Sequence, residues 1–131
     1  MNAALKEPEP TAQLVVLNLA ARDAMRGALL RQMETFPALL LPACGVTAWR
    51  HRERVWETDG KPIGQFEAMM PATFVNLLGL PAVVIPYARD ENGMPAGVQI
   101  VGRPWEEELI LEIAVLLEQA RGPFPGPPVA E

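Results

Sequence analysis

The chain has no serine, one cysteine, one histidine and two lysines, Lys6 and Lys61. Each shortage removes a kind of chemistry. A hydroxyl nucleophile activated by a neighbouring base cannot be a serine here. A single thiol, Cys44, excludes an internal disulfide and suits a cytoplasmic chain. One histidine and one cysteine do not make a zinc ligand set, so neither a metal nor a cofactor is expected. Basic residues are also outnumbered: the net charge is −5, the wrong sign for neutralising phosphates, so nucleic acid is not an expected partner. No apolar run reaches the roughly 18 residues of a membrane span. The opening MNAALKEPEP has acids and prolines where a secretory signal needs a basic and then an apolar stretch, so no membrane role is expected.

What is present is enough for a core. Half of the 131 residues are hydrophobic, which fits one small domain. The chain divides into a loose tail over residues 1–10, where Pro8 and Pro10 oppose a helix, a folded part over residues 11–121, and a Pro-rich tail over residues 122–131, read as extended or disordered. Thr11 is placed to cap a helix over residues 11–35, with Leu14, Leu17, Ala21, Ala24, Ala28 and Leu29 as its core-facing stripe. Ala38–Leu41 reads as a short strand. Residues 43–65 show no clear period and read as a long polar loop. A helix follows over residues 65–78, interrupted near Pro71. The last helix runs over Trp105–Arg121, with Pro104 at its start, Glu106, Glu107 and Glu108 in its first turn and Arg121 at its end, matching the helix dipole.

The centre of the chain is residues 73–103. An apolar helical run meets Gly79 and then Pro81, a helix stop. Val83-Val84-Ile85 between Pro81 and Pro86 reads as a buried strand, apolar on both faces. Arg89-Asp90-Glu91-Asn92-Gly93 is a turn, and Gly97–Gly102 a second strand. The linker contains no crossover helix, so residues 82–87 and 97–102 are expected to pair antiparallel.

These residues carry a resemblance. The string N-L-L-G-L-P-A-V-V-I-P, a short loop, then G-M-P-A-G-V-Q-I-V-G-R-P and an acidic helix start resembles the C-terminal end of amidase-signature hydrolases. Asn76, Gly79, Pro81, Pro86, Gly93, Pro95, Gly97, Gln99 and Gly102 match that pattern. Phe36–Pro42 resembles the family's D-x-L-L-x-P strand, with Pro37 where Asp is usual. The similarity covers roughly residues 15–120. It implies an α/β fold in which this chain forms a small mixed sheet of about three strands with flanking helices, a fragment of the amidase-signature architecture. It also implies C–N bond hydrolysis of carboxamides by two serines and a lysine in the complete enzyme. Those residues lie N-terminal to the matched portion, so no catalytic, cofactor-binding or metal-binding residue is assigned. In the glutaminyl-tRNA amidotransferase branch an Asp seven residues before the motif's Asn meets the substrate amine; here that position is Met69, and Ala72 stands where Thr is common.

Other candidates have plainer explanations. Cys44 with His51 would need an orienting group that the sequence does not supply, so Cys44 is read as a structural thiol. Glu106–Glu108 is a helix first turn. Trp49-Arg50-His51-Arg52-Glu53-Arg54-Val55-Trp56 is the one basic, aromatic patch; Glu53 and Glu57 dilute it, and it reads as a loop whose tryptophans pack on neighbours outside this chain. In the family this region lies toward the substrate cleft. Three readings stand: the C-terminal segment of an amidase, inactive alone and completed by a separate N-terminal chain carrying Ser and Lys; a non-catalytic scaffold module that forms a homo-oligomer; or, as the weakest, an anion- or nucleic-acid-binding module acting through Arg50, Arg52 and Arg54.

Overall fold

The structure, a computed structural model, describes residues 9–126. Most of the N-terminal tail and residues 127–131 of the C-terminal tail lie outside the described residues. Helix α1 (Ala12–Gln32) begins as expected, with the Thr11 hydroxyl accepting from the Leu14 N–H at 3.2 Å. It ends at Gln32, and a turn through Phe36 precedes Pro37. Strand β1 (Leu39–Pro42) follows. Helices α2 (Gln65–Ala68) and α3 (Met70–Leu78) break at Met69, with Pro71 in the first turn of α3, where its missing N–H costs nothing. Gly79 closes α3 in the left-handed conformation, φ 61° and ψ 49°, and the Leu80 N–H reaches back to the Val75 carbonyl at 3.2 Å.

Strands β4 (Ala82–Arg89) and β5 (Pro95–Val101) pair antiparallel, with an irregularity between Pro86 and Ala88. β1 pairs antiparallel with the other edge of β5, giving the order β1-β5-β4. The α/β architecture and the strand pair are as expected, but the sheet is antiparallel in both pairings rather than mixed. Its two outer strands run the same way and are separated by β5, so no parallel pair forms among the described residues.

Residues 43–65 are corrected more substantially. They contain a β-hairpin, β2 (Val55–Thr58) against β3 (Lys61–Gly64). Its two-residue turn, Asp59-Gly60, has φ of 50° and 72°, the geometry that Asp-Gly favours because both positions need positive φ. That dipeptide was the available signal.

Alternation along β5 splits the core in two. Val101 points to one face, with Val75, Leu78 and Leu80, backed by Leu29, Leu30, Leu39 and Leu41. Ile100 points to the other, with Ile85, Ile110 and Ala114. The second face is covered by helix α4 (Glu107–Arg121), which starts two residues later than the sequence suggests because Trp105 takes φ 68°. Two apolar expectations fail. No residue of α1 is buried, and Leu17 is 58% exposed, because only the C-terminal end of that helix meets α3 and the sheet. Val84 is 53% exposed, because β4 is an edge strand and the α3 layer stops short of it.

Candidate functional site: the groove beside the Cys44 loop

The segment after β1 is held by backbone geometry rather than by its own side chains. The Ala43 N–H continues the sheet to the Gly97 carbonyl at 3.0 Å, and the Gly45 N–H meets the Ala68 carbonyl at 2.7 Å. Glycine matters at both points of close approach. A Cβ on Gly45 would lie 3.3 Å from the Ala68 backbone, and one on Gly97 would lie 3.0 Å from Val84 Cγ1. Between this loop and the uncovered end of the sheet runs a groove of about 420 Å³, lined by Pro42–Trp49, Val84 and Pro95–Gly97. On the other side of the loop a polar depression of about 380 Å³ is lined by residues that include Glu53, Glu57, Asp90 and Glu91.

Asp90 joins the two segments that frame the groove. One carboxylate oxygen accepts from the Asn92 and Met94 N–H groups at 2.9 and 2.8 Å, and the other from the Thr47 hydroxyl at 2.7 Å. The Thr47 hydroxyl, followed by the Met94 and Asn92 amides, holds the Asp90 carboxyl below its ordinary pKa. The sequence shows Asp90 only as part of an Asn-Gly turn. Its bond to Thr47, 43 residues earlier, had no local signature.

The sequence candidates do not assemble into a catalytic centre among the described residues. The Cys44 thiol donates to the Ala68 carbonyl at 3.1 Å and lies 3.7 Å from the Met69 sulfur, so its bonded neighbours are a backbone acceptor and a thioether. His51 is exposed in a turn, with no hydrogen bond to Cys44. Lys61 is exposed on the hairpin. Arg50, Arg52 and Arg54 are all exposed; the Arg50 N–H binds the Glu53 carboxylate at 2.9 Å, and Arg54 donates to the Glu53 carbonyl at 3.0 Å. The two tryptophans of this patch do find a neighbour within the chain. Trp49 and Trp56 meet edge to face, centroids 5.3 Å apart, and the Trp56 indole N–H is buried without an acceptor among the described residues. Glu106 stands just before α4, at its N-cap rather than in its first turn, and pairs with Arg103 at 2.7 Å. No group of three His, Cys, Asp or Glu among the described residues is placed to hold a metal ion.

The chain thus presents an α/β layer with a Gly79-Leu80-Pro81 helix stop, an antiparallel β4–β5 pair and a helix with an acidic first turn packed on one face. The sequence model of the Amidase family matches residues 1–111, and the chain belongs to that family. It is 41% identical over 85 residues to one of the subunits of the glutamyl-tRNA(Gln) amidotransferase of Roseobacter denitrificans, covering 65% of this chain and 17% of that protein. It is 38% identical over 95 residues to the fatty acid amide hydrolase of Medicago truncatula, covering 70% and 15% respectively. A solved amidase structure superposes with a TM-score of 0.76 and 32% identity, over 86% of this chain and 26% of that one. The chain thus spans about a sixth of the length of the curated relatives it matches.

Proposed function

We propose that this chain is the C-terminal portion of an amidase-signature hydrolase, which in its complete form cleaves the C–N bond of a carboxamide, and that it is inactive alone. The observation that carries this is a family member without a single serine. A separate N-terminal chain would bring the two serines and the lysine. Residues 11–121 are the folded unit in this reading, and the groove beside Cys44 is the wall it contributes to the shared cleft. The short coverage of the relatives supports it, as does the thiol of Cys44, hydrogen-bonded to a carbonyl rather than paired with a base. Met69, partly buried against that thiol, stands where the amidotransferase branch carries an acid, which supports a substrate without a charged amine at this point. A cytoplasmic setting goes with the one free cysteine.

The test is reconstitution. The purified chain should release no ammonia from simple carboxamides; addition of an amidase-like chain carrying Ser and Lys should bind it and restore turnover. Hydrolysis by the chain alone, abolished by Cys44→Ala or His51→Ala, would sink this reading. The exposed apolar surface of α1 favours one further reading, a homo-oligomeric scaffold module without catalysis. Recovery from its own cells as a defined oligomer of this chain only would select it; recovery with a serine-bearing amidase chain would select the first.

A further inference from the structure

A second groove lies where the β4–β5 turn meets the C-terminal end of α4 and residues 122–126. Its volume is about 640 Å³, within the range of small-molecule sites. Met94, Pro86 and Pro95 make its floor apolar. Two guanidiniums converge on it. Arg89 and Arg121 both lie over the ring of Phe124, at 5.1 and 5.0 Å from its centroid. Carbonyl groups hold both in place: Arg89 donates to Gly93 and to Pro125, and Arg121 to Gly122 and to Pro86.

The partners of these arginines are the informative part. Among the described residues every one of them is a neutral carbonyl or an aromatic face, so the side chains are fixed without their charge being neutralised. Each guanidinium uses two of its five N–H groups in these bonds and keeps the rest. Among the described residues neither makes an ion pair. Glu118 is the one carboxylate in the described lining, and it forms no salt bridge with either. Two carbonyl-anchored guanidiniums beside an apolar groove, with no ion pair to either among the described residues, in a chain of net charge −5, are complementary to one class of ligand.

We propose that this groove binds a small organic carboxylate, its apolar body on Met94 and the prolines and its carboxylate bridging Arg89 and Arg121. The site is formed by β4, β5, α4 and the residues after it, and the inference stands independently of the amidase reading.

The probe is 4-phenylbutyrate, with 4-phenylbutyramide as its neutral counterpart, added to the full chain. The readouts are the Arg89 and Arg121 Nε–H and Phe124 ring resonances, and protection of the two arginines from phenylglyoxal measured by mass spectrometry. The carboxylate should bind saturably and about tenfold or more tighter than the amide, since a charge-assisted fork is lost with the amide. Arg89→Gln should remove that preference, and Arg89→Lys should keep part of it through charge alone. Glu118→Gln should strengthen binding a few-fold by removing the opposing charge. Arg89 is the residue to vary because Arg121 also anchors β4 through the Pro86 carbonyl. Equal binding of acid and amide, unchanged binding in Arg89→Gln, or absence of saturable change at these residues would overturn the proposal.

Discussion

Gly102 sits where β5 ends and the chain turns back toward α4. Its amide donates to the Pro81 carbonyl at 3.0 Å, and Ile110 of α4 lies directly over its Cα. A Cβ built there would stand 2.5 Å from Ile110 Cγ2, well inside contact distance. Ile110 is 2% exposed and locked among Ile85, Ile100 and Ala114, so it has little room to yield. Gly102→Ala should therefore overpack this face at a cost of about 1–3 kcal/mol. Gly102 is not in the left-handed region, so the reduced freedom of the unfolded chain should return about 0.4–1 kcal/mol. The net loss is about 1–2 kcal/mol, or a fall in Tm of about 4–8 °C. Ile110→Ala alone should cost about 2–5 kcal/mol, since it leaves a cavity. The double variant is decisive, because removing Cγ2 relieves the clash and the new methyl fills part of the void. Its loss should be smaller than the sum of the singles by about 0.5–3 kcal/mol. Urea titrations followed by circular dichroism would measure all four proteins. Additive losses, or a Gly102→Ala chain as stable as the parent, would refute this account of how α4 is seated.

Asp90→Ala should free the Thr47 loop from the β4–β5 turn, seen as faster amide exchange at Asn92 and Met94, whose N–H groups lose their acceptor. Because the folded Asp90 carboxyl titrates below its ordinary value, its contribution is present above the unfolded pKa of about 3.9 and disappears as pH falls through the lower folded value. The parent and Asp90→Asn should thus converge in stability only in strong acid; convergence near pH 6 would contradict the assignment. Gly60→Ala places a side chain at φ 72° and should loosen the β2–β3 hairpin by about 1–2 kcal/mol, read from exchange at Trp56 and Ile63. In the scaffold reading, Leu17→Glu, at an exposed apolar position of α1, should leave the far-ultraviolet spectrum unchanged while reducing association in sedimentation; unchanged association would count against that reading.

Local chemistry was legible wherever one residue type answers one backbone demand. Thr11 capped α1, Gly79 took the left-handed stop, and Asn92-Gly93 turned β4 into β5, because caps and turns are decided within a few residues. The absence of serine likewise fixed, from composition alone, that no serine triad resides in this chain. Asp59-Gly60 carried the same kind of signal but was submerged in a stretch without period, where β3 includes a proline that demotes it as a strand. What sequence could not decide was which apolar faces are covered. Periodicity marks a stripe on α1 and continuous hydrophobicity on β4, but it does not supply the partner layer; in the fold, Leu17 and Val84 stay open to solvent. The Thr47–Asp90 clamp and the Arg89–Phe124–Arg121 cluster depend on segments tens of residues apart meeting in space. Those contacts follow from the sheet order β1-β5-β4 and the seating of α4, which tertiary packing alone determines.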